Sequence, residues 1–202
     1  LKGPDQIEFL PKIRRLWYNK FMEIIKTTLK DALLIKPQVF KDERGFFLES
    51  YSKKKFSEKG IDIDFVQDNH ALSVSKGVLR GLHFQNPPHA QTKLVRVTRG
   101  RVYDVIMDLR KNSETFGKWE GIELSAENFL MLFIPKGFAH AYATLEDNTE
   151  FLYKVDEFYA PESDSGLIWN DPTLNINWPI KDPIVSEKDG KLPLFKDLES
   201  PF

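Results

Sequence analysis

The run Gly77-Val78-Leu79-Arg80-Gly81-Leu82-His83-Phe84-Gln85 sets a guanidinium and an imidazole three residues apart, beside two glycines. An imidazole can take a proton near neutral pH, and a guanidinium grips a phosphate through two parallel hydrogen bonds. Strand side chains alternate between faces, so a regular strand sends Arg80 and His83 to opposite sides. Both reach one cavity only if Gly81 bends or bulges the strand. Otherwise the segment is a hydrogen-bonded core histidine next to a surface arginine. Three more polar side chains stand at apolar parity: Asp104 with Val102 and Ile106, Lys93 with Val95 and Val97, and Tyr153 with Phe151 and Val155. A charge buried without a partner costs on the order of several kcal/mol, so such groups are paired or functional. Taken singly, each has a structural account: a Lys93–Asp104 ion pair holding a barrel together, and Tyr153 as a core aromatic.

A second concentration is Ile134-Pro135-Lys136-Gly137-Phe138-Ala139-His140. Its Pro-x-Gly-x-x-His pattern resembles the second motif of the cupin superfamily, in which the His reaches into a β-barrel and often joins a metal site of three His and one Glu. The first metal motif is broken here. Phe84 and Gln85 follow His83, so no His-x-His pair exists, and Lys93 stands near the place of the Glu ligand. An ammonium beside a divalent cation is repulsive, and two imidazoles without a carboxylate make a poor zinc or iron site. His70, after Gln67-Asp68-Asn69, and His89, in a Pro-Pro loop, do not complete one. Neither a metal nor another cofactor is expected.

Positioning these groups falls to strands. Short runs rich in Val, Ile, Phe and Tyr, broken by Gly, Pro, Asn and Asp, predict strands over 33–40, 45–51, 64–75, 93–99, 101–109, 119–124, 130–134 and 149–158. The Arg99-Gly100-Arg101 junction predicts a tight hairpin. A short helix is expected over 52–59, and a loop-rich end where Pro172, Pro179, Pro183 and Pro193 recur. Many strands without a linker or repeat predict one all-β domain, as a sandwich, jelly roll or closed barrel. The 202 residues suffice for one substantial core, and 16 Phe and 4 Trp can fill it. Residues 1–21, with the Ile13-Arg14-Arg15-Leu16-Trp17-Tyr18 cluster, read as an added expression segment or a flexible N-terminal arm, with the domain occupying 22–202.

Composition removes several function classes. The 29 basic and 30 acidic residues give a net charge of -1, which offers no overall attraction to nucleic acid or an anionic membrane. The absence of cysteine excludes disulfides, thiolate metal sites and cysteine nucleophiles, and leans towards a cytoplasmic setting. No apolar run is long enough for a transmembrane helix, and the N-terminus lacks the uninterrupted apolar run of a signal peptide.

Several motifs then follow in order: Asp42-Glu43-Arg44-Gly45-Phe46-Phe47-Leu48-Glu49, Gln67-Asp68-Asn69-His70, Val78–Gln85, Lys93-Leu94-Val95-Arg96-Val97, Ile134–His140, Leu152-Tyr153-Lys154, Tyr159-Ala160-Pro161-Glu162, Trp169-Asn170-Asp171-Pro172 and Ser186-Glu187-Lys188-Asp189. From about Met22 onward this series resembles the dTDP-4-dehydrorhamnose 3,5-epimerases. The resemblance implies a jelly-roll barrel, a homodimer and a dTDP-4-dehydro-6-deoxyglucose substrate. It further implies His83 as base, Asp189 as its dyad partner, Tyr153 as acid, Lys93 as oxyanion stabiliser and Asp104 as the group that orients or balances Lys93. For the nucleotide it implies Arg80 and His140 near the diphosphate, Tyr159 against the thymine, and Gln67, Asn69 and Lys188 along the pocket, with Arg44 and Glu49 supplied by the partner subunit. One departure is Asp164, standing near a position where the family often carries Glu; it is not assigned to the site. A 3-epimerase or a 3,4-ketoisomerase on a related nucleotide sugar is the neighbouring alternative.

Overall fold

Alternating runs form strands across residues 22–202, which are the residues that the computed structural model describes. The segment 1–21 lies outside the described residues. In chain order the elements are β1 (Glu23–Lys26), β2 (Leu33–Lys36), β3 (Val39–Asp42), β4 (Gly45–Leu48), helix α1 (Lys53–Ser57), β5 (Gln67–Ser73), β6 (Val78–Gln85) and β7 (Lys93–Arg99). There follow β8 (Arg101–Asp108), β9 (Trp119–Ser125), β10 (Met131–Ile134), β11 (Phe138–Thr144), β12 (Thr149–Val155), β13 (Asp164–Gly166) and β14 (Ile184–Val185). Single 3-10 turns at Pro161–Ser163, Asp189–Lys191 and Phe195–Asp197 complete the loop-rich C-terminal part.

The strands make a jelly-roll barrel of two opposed sheets. Sheet one runs β1-β2-β10-β7-β12-β5; sheet two runs β13-β6-β11-β8-β9, with β14 lying parallel on β6. Side-chain parity sorts the apolar residues into layers. Between the sheets, Val95, Val97, Leu132 and Phe151 of sheet one meet Val102, Ile106, Leu124 and Phe138 of sheet two. Each such side chain, fully buried, stabilises the fold by about 1.5–3 kcal/mol. The opposite face of sheet two, with Val105, Met107 and Ala139, is covered by Leu167, Leu174, Trp178 and Phe202 of the C-terminal segment. The outer face of sheet one, with Ile35, Leu94 and Met131, is covered by Phe56 and Ile61. Phe56 is the buried residue of α1, whose N-terminus is capped by Ser52.

Two expectations are corrected. Arg99-Gly100-Arg101 is not a hairpin: β7 belongs to sheet one and β8 to sheet two, so the chain changes sheets there. Gly100, at φ +74°, makes this step, and a Cβ would lie 2.4 Å from Thr149 Oγ1. The strand expected over 33–40 is split, because Pro37 has no N–H to continue the ladder. The part after it, β3, pairs with β4 as a separate two-stranded ribbon.

Candidate active site

The bend required at Gly81 is present. In the β6–β11 ladder His83 pairs with His140 and Arg80 with Tyr142, so three steps on β6 match two on β11. This bulge places Arg80 and His83 on one face, opposite two residues of like parity. Gly81 is at φ +114°, and a Cβ there would lie 2.5 Å from the His140 carbonyl oxygen and 2.6 Å from the Ala141 Cβ. Only glycine lets β6 turn this closely against β11.

Arg80 and His83 line a cavity of about 500 Å³ between the sheets, together with Lys93, His140, Tyr153, Lys188 and Asp189. The Asp189 Oδ1 lies 2.6 Å from His83 Nε2, and its Oδ2 accepts the backbone N–H of Gly81 at 3.2 Å. Burial tends to raise the Asp189 carboxyl, but these bonds and one to Ser186 outweigh it and hold the group below its usual range. An ionised carboxylate only accepts, so Nε2–H of His83 is the donor in this contact.

Facing this wall is sheet one. Lys93 on β7 and Tyr153 on β12 both open into the cavity, as their parity predicts. Burial raises the Tyr153 phenol, against the opposing pull of Arg80, so it stays protonated at neutral pH. Burial also lowers the Lys93 ammonium to about 8, although the Asp104 and Asp164 carboxylates favour its charge. His83 and Tyr153 thus stand on opposite walls of one cavity.

Asp104 requires a correction. It is fully buried, and both of its oxygens lie 3.0 Å from His140 Nε2; its hydrogen-bonded partner is His140 rather than Lys93. The reason is topological. β8 and β11 are neighbours in sheet two, whereas Lys93 projects from the other sheet and feels Asp104 only through its charge. Burial lowers the His140 imidazolium, with Asp104 opposing, so His140 tends towards the neutral ring.

At the cavity mouth, Asp164 on β13 accepts a hydrogen bond from the Tyr159 hydroxyl at 3.1 Å and an ion-pair contact from Lys188. The backbone N–H of Tyr159 points to Gln67 Oε1 at 3.4 Å, and Gln67 donates to Asn69 at 2.9 Å. Asp164 therefore links two residues assigned to the site, a role that sequence reasoning missed. Its proximity to the Tyr159 turn was the available signal. Arg44 and Glu49 are not brought to this cavity: Arg44 is bound to Asp42 in the β3–β4 ribbon, and Glu49 lies 2.9 Å from Lys55. Among the described residues, no cluster of three or more His, Cys, Asp or Glu side chains could hold a metal ion.

Comparison with known proteins gives a consistent result. A family model described as dTDP-4-dehydrorhamnose 3,5-epimerase matches residues 26–197. A curated dTDP-4-dehydrorhamnose 3,5-epimerase of Shigella flexneri is 53% identical over 169 residues, covering 83% of this chain and 93% of that relative. Among solved structures, the Bacillus anthracis epimerase with TDP and PPi bound is similar at TM-score 0.84 and 53% identity, over 86% of this chain and 99% of that one. The Legionella pneumophila epimerase in complex with dTDP-4-keto-L-rhamnose matches at TM-score 0.84 and 44% identity, over 88% and 95% of the two chains.

Proposed function

The chain belongs to the dTDP-4-dehydrorhamnose 3,5-epimerase family, and on that footing we propose that His83 is its catalytic base, Tyr153 its acid and Asp189 the positioning partner of the base. The enzyme converts dTDP-4-dehydro-6-deoxy-D-glucose to dTDP-4-dehydro-L-rhamnose. The C4 ketone acidifies the hydrogens on C3 and C5. His83 removes a proton, the charge moves onto O4 as an enolate, and a proton returns from the opposite face. Lys93 stabilises that oxyanion from the wall of sheet one. The observation that carries this reading is that His83, bonded to Asp189 of the C-terminal segment, and Tyr153 come from opposed sheets and line one cavity. The chemistry needs no metal.

The nucleotide lies along the open side of the same cavity, with Arg80 gripping the diphosphate and Lys188 beside it. Tyr159 stacks on the thymine, and Gln67 and Asn69 line its pocket. His140, held by Asp104, supplies a neighbouring polar contact. Arg44 and Glu49 act from the partner subunit of a homodimer. Their distance from their own cavity supports this, as do Phe46 and Phe47 of the β3–β4 ribbon, 59% and 69% exposed. Residues 22–202 form a single epimerase domain with cupin kinship. Cytoplasmic location fits the cysteine-free chain, and the balanced charge fits the absence of nucleic-acid and membrane partners.

The test is an NMR assay of the purified protein with dTDP-4-dehydro-6-deoxyglucose in deuterated water, with a downstream reductase trapping the product. Deuterium at both C3 and C5 is expected, and its loss from both carbons in His83→Ala. Label at C3 alone would place the enzyme with single-centre epimerases. Full exchange in His83→Ala would remove the base assignment.

A further inference from the structure

Inverting two carbons takes two proton removals and two proton returns. In a gluco-configured ring with equatorial substituents, the hydrogens on C3 and C5 are both axial on one face. A single base on that side can serve both removals, but the opposite wall must supply two protons. The phenol of Tyr153 holds one. Lys93 belongs to the same wall: β7 and β12 are hydrogen-bonded neighbours, with Val95 opposite Tyr153 and Lys93 opposite Val155, and both side chains line the cavity.

Resting on the proposed reading of this site, we infer that Lys93 is the second proton donor of the wall facing His83, so that Tyr153 reprotonates one carbon and the Lys93 ammonium the other. C3 and C5 flank C4, so an ammonium paired with O4 stands beside both reacting carbons. The step balances. His83 takes the proton from carbon, and the C–H electron pair becomes the enolate. The enolate carbon then forms its new C–H bond with a proton from Lys93 Nζ, whose N–H pair remains on nitrogen as a neutral amine. Solvent reprotonates the amine and takes the proton from the His83 imidazolium. A donor must release and regain its proton near working pH, and the Lys93 ammonium lies at about 8. The groups facing it are the Asp104 carboxylate on β8, the Asp164 carboxylate on β13 and the His140 ring on β11.

Lys93→Arg separates charge from proton donation, since a guanidinium keeps its positive charge but does not give up its proton. In the deuterium assay, this variant should slow inversion at both carbons through the displaced charge, but should cost one carbon at least about thirtyfold more than the other. Tyr153→Phe should show the complementary pattern. Inversion of both carbons by Lys93→Arg in the wild-type ratio would overturn the inference, as would an equal fall at both. Wild-type protein supplies a check free of folding defects. The ratio of doubly to singly inverted product should fall as pH rises through about 8, and a ratio constant from about pH 7 to 9.5 would reject the role. Wild-type protein with no exchange at either carbon would remove the underlying site assignment as well.

Discussion

On the wall formed by β6 and β11, strand geometry is broken to bring its groups together. On the wall formed by β7 and β12, it is kept. Three steps along β6 match two along β11, and the Gly81 amide that closes the bulge also donates to Asp189. Arg80, His83 and Asp189 are consequently placed by one backbone feature. Lys93 and Tyr153, by contrast, reach the cavity by plain alternation along strands whose neighbours include the buried Val95, Val97 and Phe151. With the roles proposed for these residues, the difference separates two kinds of dependence: the base wall would carry function and fold in the same atoms, whereas the acid wall would carry function on side chains that can be altered one at a time.

Gly81→Ala tests that division most severely. A methyl group at Gly81 meets backbone and a Cβ at 2.5–2.6 Å, in a conformation that L residues rarely adopt. Neither obstacle is a flexible side chain, so β6 and β11 must separate. The expected result is destabilisation by about 3 kcal/mol or more, with activity below detection in whatever folded protein remains. Thermal unfolding and the epimerase assay would measure both. Wild-type stability with partial activity would show that the bulge is not what unites Arg80, His83 and Asp189.

His83→Ala and Asp189→Asn remove chemistry from the base wall while keeping Gly81, and the Asn side-chain oxygen can still accept the Gly81 N–H that Asp189 accepts. The first should lower kcat by about 10³–10⁴-fold and abolish isotope exchange at both carbons. The second keeps the shape but can present an N–H to the imidazole, which favours the wrong tautomer, so a fall of about 10²–10⁴-fold with unchanged unfolding temperature is expected. Substrate dissociation constants near wild type in both variants would place the loss in proton transfer. An Asp189→Asn enzyme of full activity would leave the dyad as a structural tie.

On the acid wall, Tyr153→Phe should act more narrowly. It deletes one hydroxyl and leaves the aromatic packing against Phe151, whose ring centroid is 6.2 Å away. His83 still removes protons, so solvent exchange persists while inversion at one carbon falls by about a hundredfold. Loss of exchange together with inversion would mean that the phenol also serves the removal step, and the two walls would no longer divide the labour.

The same contrast explains what could be read from the sequence. Tyr153, Lys93 and Asp104 were legible as polar residues at apolar parity because their strands are regular. Arg80 and His83 were legible only as a condition on Gly81, since a bulge is a relation between two strands and β11 lies more than fifty residues downstream. The partner of Asp104 was misread for a related reason. Parity indicates that a carboxylate points inward, but only sheet order reveals that His140 is next to it and Lys93 is across the barrel. Gly100 marked a turn correctly, yet composition does not distinguish a hairpin from a change of sheet. Asp189 and Lys188 were reachable through the ordered family motifs alone, because the C-terminal segment that holds them has almost no periodicity of its own.

The smallest expected effect concerns what neither wall supplies. Arg44 has a side chain 82% exposed and bound to Asp42, remote from its own cavity, so Arg44→Ala should leave folding intact and raise KM by about tenfold with little change in kcat. The stronger experiment is complementation at substrate concentrations well below KM, where Arg44→Ala keeps about a tenth of wild-type activity and His83→Ala almost none. If the ribbon of one subunit completes the cavity of the other, a heterodimer of Arg44→Ala and His83→Ala contains one site with both lesions and one with neither. Random exchange of equal amounts makes half of the dimers mixed, so about a quarter of wild-type activity should return. Recovery at that level would show that Arg44 acts in trans. Absence of recovery despite demonstrated subunit exchange would show that the two opposed walls within a single chain already make the whole site.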